Sequence, residues 1–165
     1  MINIRKMRVE DRQSVYEILQ HTEMFTPAEI SVAMELIDIY LFNHEQKDYL
    51  IFVAELENRN VAGYVCFGPT PATEGTFDLY WIAVDPRMQG KGIGKTLLNF
   101  VENKIKLMAG RLIIIETSSQ QKYALTQKFY LDAGYRIEAK IKDFYRPDDD
   151  RLIFTKRLNS KPVEG

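Results

Sequence analysis

Apolar positions along this chain recur with two periods, one suited to helices and one to strands. Ile2 to Met7 alternates apolar with polar residues and predicts a first strand. Between Asp11 and Gln20 the apolar residues Val15, Ile18 and Leu19 fall at helical spacing. The next helix has the clearest start. Thr26 can cap it, Pro27 suits its first turn, and Glu29 completes a capping box three residues on. Phe25 and Ile30 occupy staple positions, and Ile30, Ala33, Met34, Ile37 and Leu41 share one face. From Tyr49 the period shortens. YLIFVAEL and VAGYVCFG read as strands flanking the turn ENRN, and the loop PTPATEG leads to a third strand, TFDLYWIAV. Three strands in direct succession imply antiparallel pairing.

A glycine-rich stretch follows, then a helical stripe of Leu97, Leu98, Val101, Ile105 and Met108. RLIIIET reads as a buried strand, and Lys122 to Ala133 as a helix stopped by Gly134. Two closing strands, YRIEAKI and RLIFTKRL, are joined by the polar segment KDFYRPDDD, read as a loop. The order β-α-α-β-β-β-α-β-α-β-β predicts an α+β fold: a mixed, mostly antiparallel central sheet flanked by helices. A single domain over 1–158 and a flexible tail at 159–165 are expected.

Composition narrows the function. The 165 residues carry 22 basic and 23 acidic side chains, which argues against a dedicated nucleic-acid or membrane-surface protein. The one cysteine, Cys66, excludes an internal disulfide and a multi-cysteine metal site. It lies on an apolar strand and reads as core rather than nucleophile. No signal-peptide pattern opens the sequence, so a cytoplasmic setting is expected. His21 and His44 are isolated, and no metal is expected.

The segment Gln89-Gly-Lys-Gly-Ile-Gly-Lys-Thr96 is suited to phosphate. It is no P-loop, because Gln89 stands where the first glycine belongs and DPRM separates it from the preceding strand. Nor is it a Rossmann turn, because Lys95 stands where the third glycine belongs. What remains is a glycine turn opening a helix, with unpaired amides and a dipole that favours an anion. Lys91 and Lys95 add positive charge; a flexible turn with two solvated lysines is the plainer alternative.

Gln89-Gly90-Lys91-Gly92-Ile93-Gly94 matches the Q/R-x-x-G-x-G/A signature of the GNAT superfamily of N-acetyltransferases. YWIAVDPRMQGKGIG and FYLDAGYRI also resemble that family, and the element order agrees over roughly residues 2–158. The resemblance implies the GNAT fold and acetyl-CoA as co-substrate. It implies that main-chain amides of Gln89 to Lys95 hold the CoA pyrophosphate, and that Ile82, Ala83 and Val84 pair with the pantetheine arm beside a bulge in their strand. It also implies acetyl transfer to an amine.

A lysine-type amine, with a pKa of about 10.4, must lose a proton before attack. Asp78 and Glu116 stand where family members place acidic residues and are the candidate bases, Asp78 preferred. Each could instead be a paired strand residue. Tyr130, in KFYLDAGY, matches the position implied for the acid that protonates the departing thiolate. Tyr123 stands where many members have asparagine, so its contact with the arm departs from the family pattern. The acceptor would meet Phe25 to His44 and Asp143 to Asp150. Tyr40, Phe42, Phe144 and Tyr145 could line a pocket, and Asp148, Asp149 and Asp150 could attract a cationic amine or form a solvated turn. The expected activity is N-acetyl transfer; a catalytically silent CoA-binding module is the alternative. A homodimer is left open, and neither nucleic acid nor membrane is expected as a partner.

Overall fold

A computed structural model describes residues 1–158; the expected tail at 159–165 lies outside the described residues. The strands are β1 (Asn3–Lys6), β2 (Leu50–Glu55), β3 (Val61–Pro69), β4 (Thr76–Val84), β5 (Leu112–Ser118), β6 (Arg136–Arg146) and β7 (Asp149–Arg157). The helices are α1 (Arg12–His21), α2 (Pro27–Phe42), α3 (Ile93–Leu107) and α4 (Ala124–Asp132). The expected element order holds. The seven strands follow the order β1-β2-β3-β4-β5-β7-β6, with β4 and β5 parallel and β1–β2, β2–β3, β5–β7 and β6–β7 antiparallel. The chain forms two compact units. One contains Met1–Gly68 and Tyr80–Asn103; the other contains Pro69–Leu79 and the chain from Lys104 onward.

In the first unit α2 starts as its sequence dictates. Thr26 accepts from the Glu29 amide at 3.1 Å, and the Glu29 carboxylate accepts from the Thr26 amide at 3.4 Å. Its face of Ala33, Met34, Ile37 and Leu41 joins Val15, Ile18 and Leu19 of α1 over Ile51, Val53, Tyr64 and Cys66 of β2 and β3. The opposite strand face holds Phe52, stacked near Phe67 and edge-on to Phe100 of α3. Leu97, Leu98 and Val101 of α3 are buried here, each worth about 1.5–3 kcal/mol by removal from water. Met108, expected on this stripe, lies past the helix end and is 46% exposed.

In the second unit Tyr130 of α4 packs on Phe154 of β7, with ring centroids 5.7 Å apart. Gly134 follows α4 at φ +92°, a conformation that glycine adopts freely, as expected of the helix stop. The segment 142–150 differs from expectation. It is not an open loop: β6 runs to Arg146 and β7 starts at Asp149, so only two residues make the turn. Pairing with β7, which no local propensity announces, shifts register after Ile141 and resumes at Arg146 opposite Asp149, so β6 runs on past Phe144 and Tyr145.

Candidate active site

The first unit contributes a strand end, a turn and a helix mouth. Asp85 closes β4. Its amide donates to Ala62 O at 2.8 Å, and its carboxylate accepts from the Arg87 amide at 3.0 Å. The Asp85 carboxyl is held below its ordinary pKa, first of all by the Arg87 guanidinium hydrogen bond. This cap starts a short 3-10 turn, Pro86–Met88, which hands the chain to Gln89. Gly90 and Gly92 then take φ +79° and +77°, and no atom lies within 4 Å of where a Cβ would stand on either. The space above both glycines is therefore open over bare main chain. Ile93, 2% exposed, anchors the start of α3 below it.

The Thr96 amide donates to Gly92 O at 3.0 Å, which is the helical i to i−4 pattern. The amides of Gly92, Ile93, Gly94 and Lys95 precede that bond and find no acceptor within the helix. They carry the positive end of the dipole into the open turn, with Lys91 and Lys95 exposed beside it. Ile82 and Val84 are half-buried and Ala83 buried, on the strand that feeds this turn. Chemically the arrangement suits a diphosphate followed by an extended chain.

β4 also carries an irregularity. Thr70 N donates to Thr76 O, and Asp85 N donates to Ala62 O. Ala62 to Thr70 is eight steps along β3, while Thr76 to Asp85 is nine along β4. The extra residue is a β-bulge. Side chains change phase across it. Phe77 lies toward Gly110 and Ile105, whereas Trp81 packs on Phe25, ring centroids 5.1 Å apart, among the residues under α1 and α2. In a regular strand residues four apart share a face.

The second unit holds the titratable groups. Asp78 is half-buried and paired in register with Ile114 of β5; its Oδ2 accepts from Thr70 Oγ1 at 2.7 Å. Glu116 lies two residues beyond Ile114, so both carboxylates emerge on one face. Glu116 is ion-paired with Arg151, whose guanidinium lies 4.7 Å from the centre of the Phe144 ring. Tyr130 belongs to the other face. It packs on Phe154, the partner of Ile115, and alternation sends Ile115 and Glu116 opposite ways. Tyr130 is 4% exposed, and burial pushes its hydroxyl above the ordinary tyrosine pKa. β4 and β5 are paired from Thr76–Leu112 to Leu79–Ile115, and beyond that row β4 runs on to Val84 and β5 to Ser118. Tyr123 stands at the start of α4 with the Lys122 ammonium 5.2 Å from its ring centre.

The residues expected on the acceptor side fall in both units. Tyr40 packs against the α1–α2 core and Phe42 is 61% exposed, while Phe144 and Tyr145 lie edge to face on β6. Two aspartates of the turn have engaged carboxylates, while Asp148 donates through its main-chain amide to Asp143 Oδ1 at 2.8 Å. Asp149 is 2% exposed and accepts from the Ser118 hydroxyl, and Asp150 accepts from the Asp143 amide at 2.9 Å and pairs with Lys140 at 3.1 Å. Cys66 is buried, and burial pushes its thiol up, out of the reactive range. Sequence reasoning missed Thr70 and Arg151, which hold the two candidate bases. Both contacts are set by strand register, for which the chain offers no local signal. Among the described residues no group of three or more His, Cys, Asp or Glu could hold a metal ion, and no helix is long and apolar enough to cross a membrane.

The family description Acetyltransferase (GNAT) domain matches residues 47–137. A crystal structure from Desulfovibrio desulfuricans, assigned to the GNAT family of acetyltransferases, is 42% identical. It superposes with a TM-score of 0.92 over 96% of this chain and 100% of that one. The ribosomal-protein-S18-alanine N-acetyltransferase of Escherichia coli shares the fold at 18% identity, with a TM-score of 0.76 over all of both chains. The yncA protein of Salmonella typhimurium, solved with its cofactor acetyl-CoA, does so at 19% identity, with a TM-score of 0.74 over 100% of this chain and 98% of that one. No curated protein matches the chain in sequence.

Proposed function

The chain belongs to the GNAT family of acetyltransferases, and we propose that it moves the acetyl group of acetyl-CoA directly to a primary amine on a small molecule or peptide. One observation carries the reading: an open glycine turn stands at the mouth of α3, where the first amides have no acceptor within the helix. The amides of Gln89 to Lys95 would hold the pyrophosphate, Ile82 to Val84 would line the arm, and Tyr123 would bound it. The bound co-substrate supplies an activated acyl carbon and a thiolate leaving group.

The protein's own work is then proton traffic. Asp78 takes one proton from the acceptor ammonium, and the freed lone pair attacks the thioester carbon. The C–S bond breaks as the Tyr130 O–H protonates the sulfur; the second nitrogen proton, acidic once the N–C bond has formed, restores the Tyr130 hydroxyl, and Asp78 returns its proton to water. The bulge in β4 supports this reading, because it interrupts the regular strand where a thioester and a main-chain N–H would meet. The opposite facing of Tyr130 and the two carboxylates supports it too: a proton leaves on one side of the sheet and arrives on the other. Cys66 is buried, so no acyl-enzyme is invoked. The balanced charge favours a small-molecule or peptide acceptor over a nucleic acid. A cytosolic setting, with its lone thiol reduced, belongs to the same reading.

The test is release of free CoA thiol from acetyl-CoA across a panel of polyamines, amino acids, aminoglycosides and peptides. Turnover with one amine class is expected. Tight CoA binding with no turnover on any amine would replace the enzyme by a CoA-binding module.

A further inference from the structure

The choice between the two carboxylates leads to a residue that no motif marks. Thr70 Oγ1 donates to Asp78 Oδ2 at 2.7 Å across the β3–β4 hairpin. Thr70 is itself fixed. Its amide donates to Thr76 O at 2.8 Å, and its carbonyl accepts from the Thr73 hydroxyl at 2.7 Å. Its β-branched side chain has few rotamers, so a fixed backbone leaves the hydroxyl little freedom. Glu116, on the same face, is held by a cation instead, Arg151. A proton added to Glu116 would leave that guanidinium, 77% removed from solvent, without its counter-charge. A proton added to Asp78 leaves the neutral Thr70 donor satisfied.

We propose that Thr70 is a positioning residue, whose hydroxyl holds the Asp78 carboxylate in the orientation in which it takes the proton of the acceptor amine. The inference rests on Asp78 being the base of the reaction above. The hydrogen bond to Oδ2 restrains rotation about the Cβ–Cγ bond. The incoming proton moves from the substrate nitrogen to the carboxylate.

The experiment compares Thr70→Val, Thr70→Ser and Asp78→Asn, alone and combined, in steady-state acetyl transfer, with melting temperature as the fold control. Thr70→Val keeps the shape and removes the donor; it is expected to lower kcat by about tenfold, since a misoriented base loses effective molarity, with KM for acetyl-CoA unchanged. Thr70→Ser restores kcat. In the Asp78→Asn background Thr70→Val adds nothing, because the two act through one contact. Wild-type kcat in Thr70→Val overturns the proposal while an impaired Asp78→Asn keeps the base assignment. Multiplicative losses in the double variant also overturn it, giving Thr70 a role apart from Asp78. Full activity of Asp78→Asn overturns the base assignment itself, and the positioning role with it.

Discussion

The Tyr130 hydroxyl ends a ring packed against Tyr135 and Phe154, and that burial pushes its pKa above the ordinary value of about 10. A raised tyrosine pKa keeps the hydroxyl protonated throughout the neutral range, so it is always available as a proton donor. Tyr130→Phe keeps the ring in its packing and removes only the proton source. Turnover is expected to fall by about 10²–10⁴, the usual worth of a positioned acid, while titrated acetyl-CoA affinity changes little. Equal turnover in wild type and variant would remove Tyr130 from the acid role. The residue itself was legible from the resemblance of KFYLDAGY to a family pattern. Its burial was not, because that depends on Phe154, which β7 brings against α4.

At the scale of elements, α3 has two ends to its sequence logic: its apolar stripe fixes it to the strands, and the amides of its first turn have no acceptor within the helix. Gly92 joins them at φ +77°, where a non-glycine residue costs about 1–2 kcal/mol. A Cβ there would meet no atom, so substitution strains the backbone without a clash. Gly92→Glu is therefore expected to fold with a modestly lower melting temperature and to lose acetyl-CoA binding, because its carboxylate competes for the helix end that the diphosphate needs. Gly92→Asn, which tolerates this conformation, is expected to keep most of the binding. Unchanged affinity in Gly92→Glu by calorimetric titration would refute the assignment of the turn. The turn was readable in the sequence because glycine spacing and a following helical stripe are local signals. The β4 bulge was expected only through the family resemblance, and the length of the β6–β7 hairpin was not expected at all. Both arise from pairing between strands, and the alternation in KDFYR is too short to announce a strand by itself.

For the whole molecule, charge holds the edge of the fold together more than net charge suggests. Arg5 of β1 donates to both oxygens of Asp11, at 2.7 and 2.9 Å, and through Nε to Glu55 of β2 at 2.8 Å. Asp11 is 6% exposed and also accepts from the Arg8 amide at 2.7 Å. Desolvation acts to raise the Asp11 pKa and is the largest single influence. The hydrogen bonds from Arg5 and Arg8 together outweigh it, so the folded value lies below the ordinary one. A carboxylate lowered in this way stabilises the fold fully above its unfolded pKa of about 3.9, and the contribution disappears as pH falls through the folded value. Arg5, raised by the same contacts, does not titrate in this range. Asp11→Asn is expected to cost about 2 kcal/mol at pH 7, less than a fully buried pair because Arg5 keeps some contact with water. Its urea midpoint should then fall less than the wild type's between pH 5 and pH 2, with the residual slope coming from the other lowered carboxyls: Asp38 and Asp85 beside arginines, Asp150 held by the Asp143 amide and Lys140, and Glu138, lowered to about 2 by Thr155, Arg157 and Arg136. Parallel midpoint curves for the two proteins would show that the Arg5 contact contributes nothing to acid sensitivity.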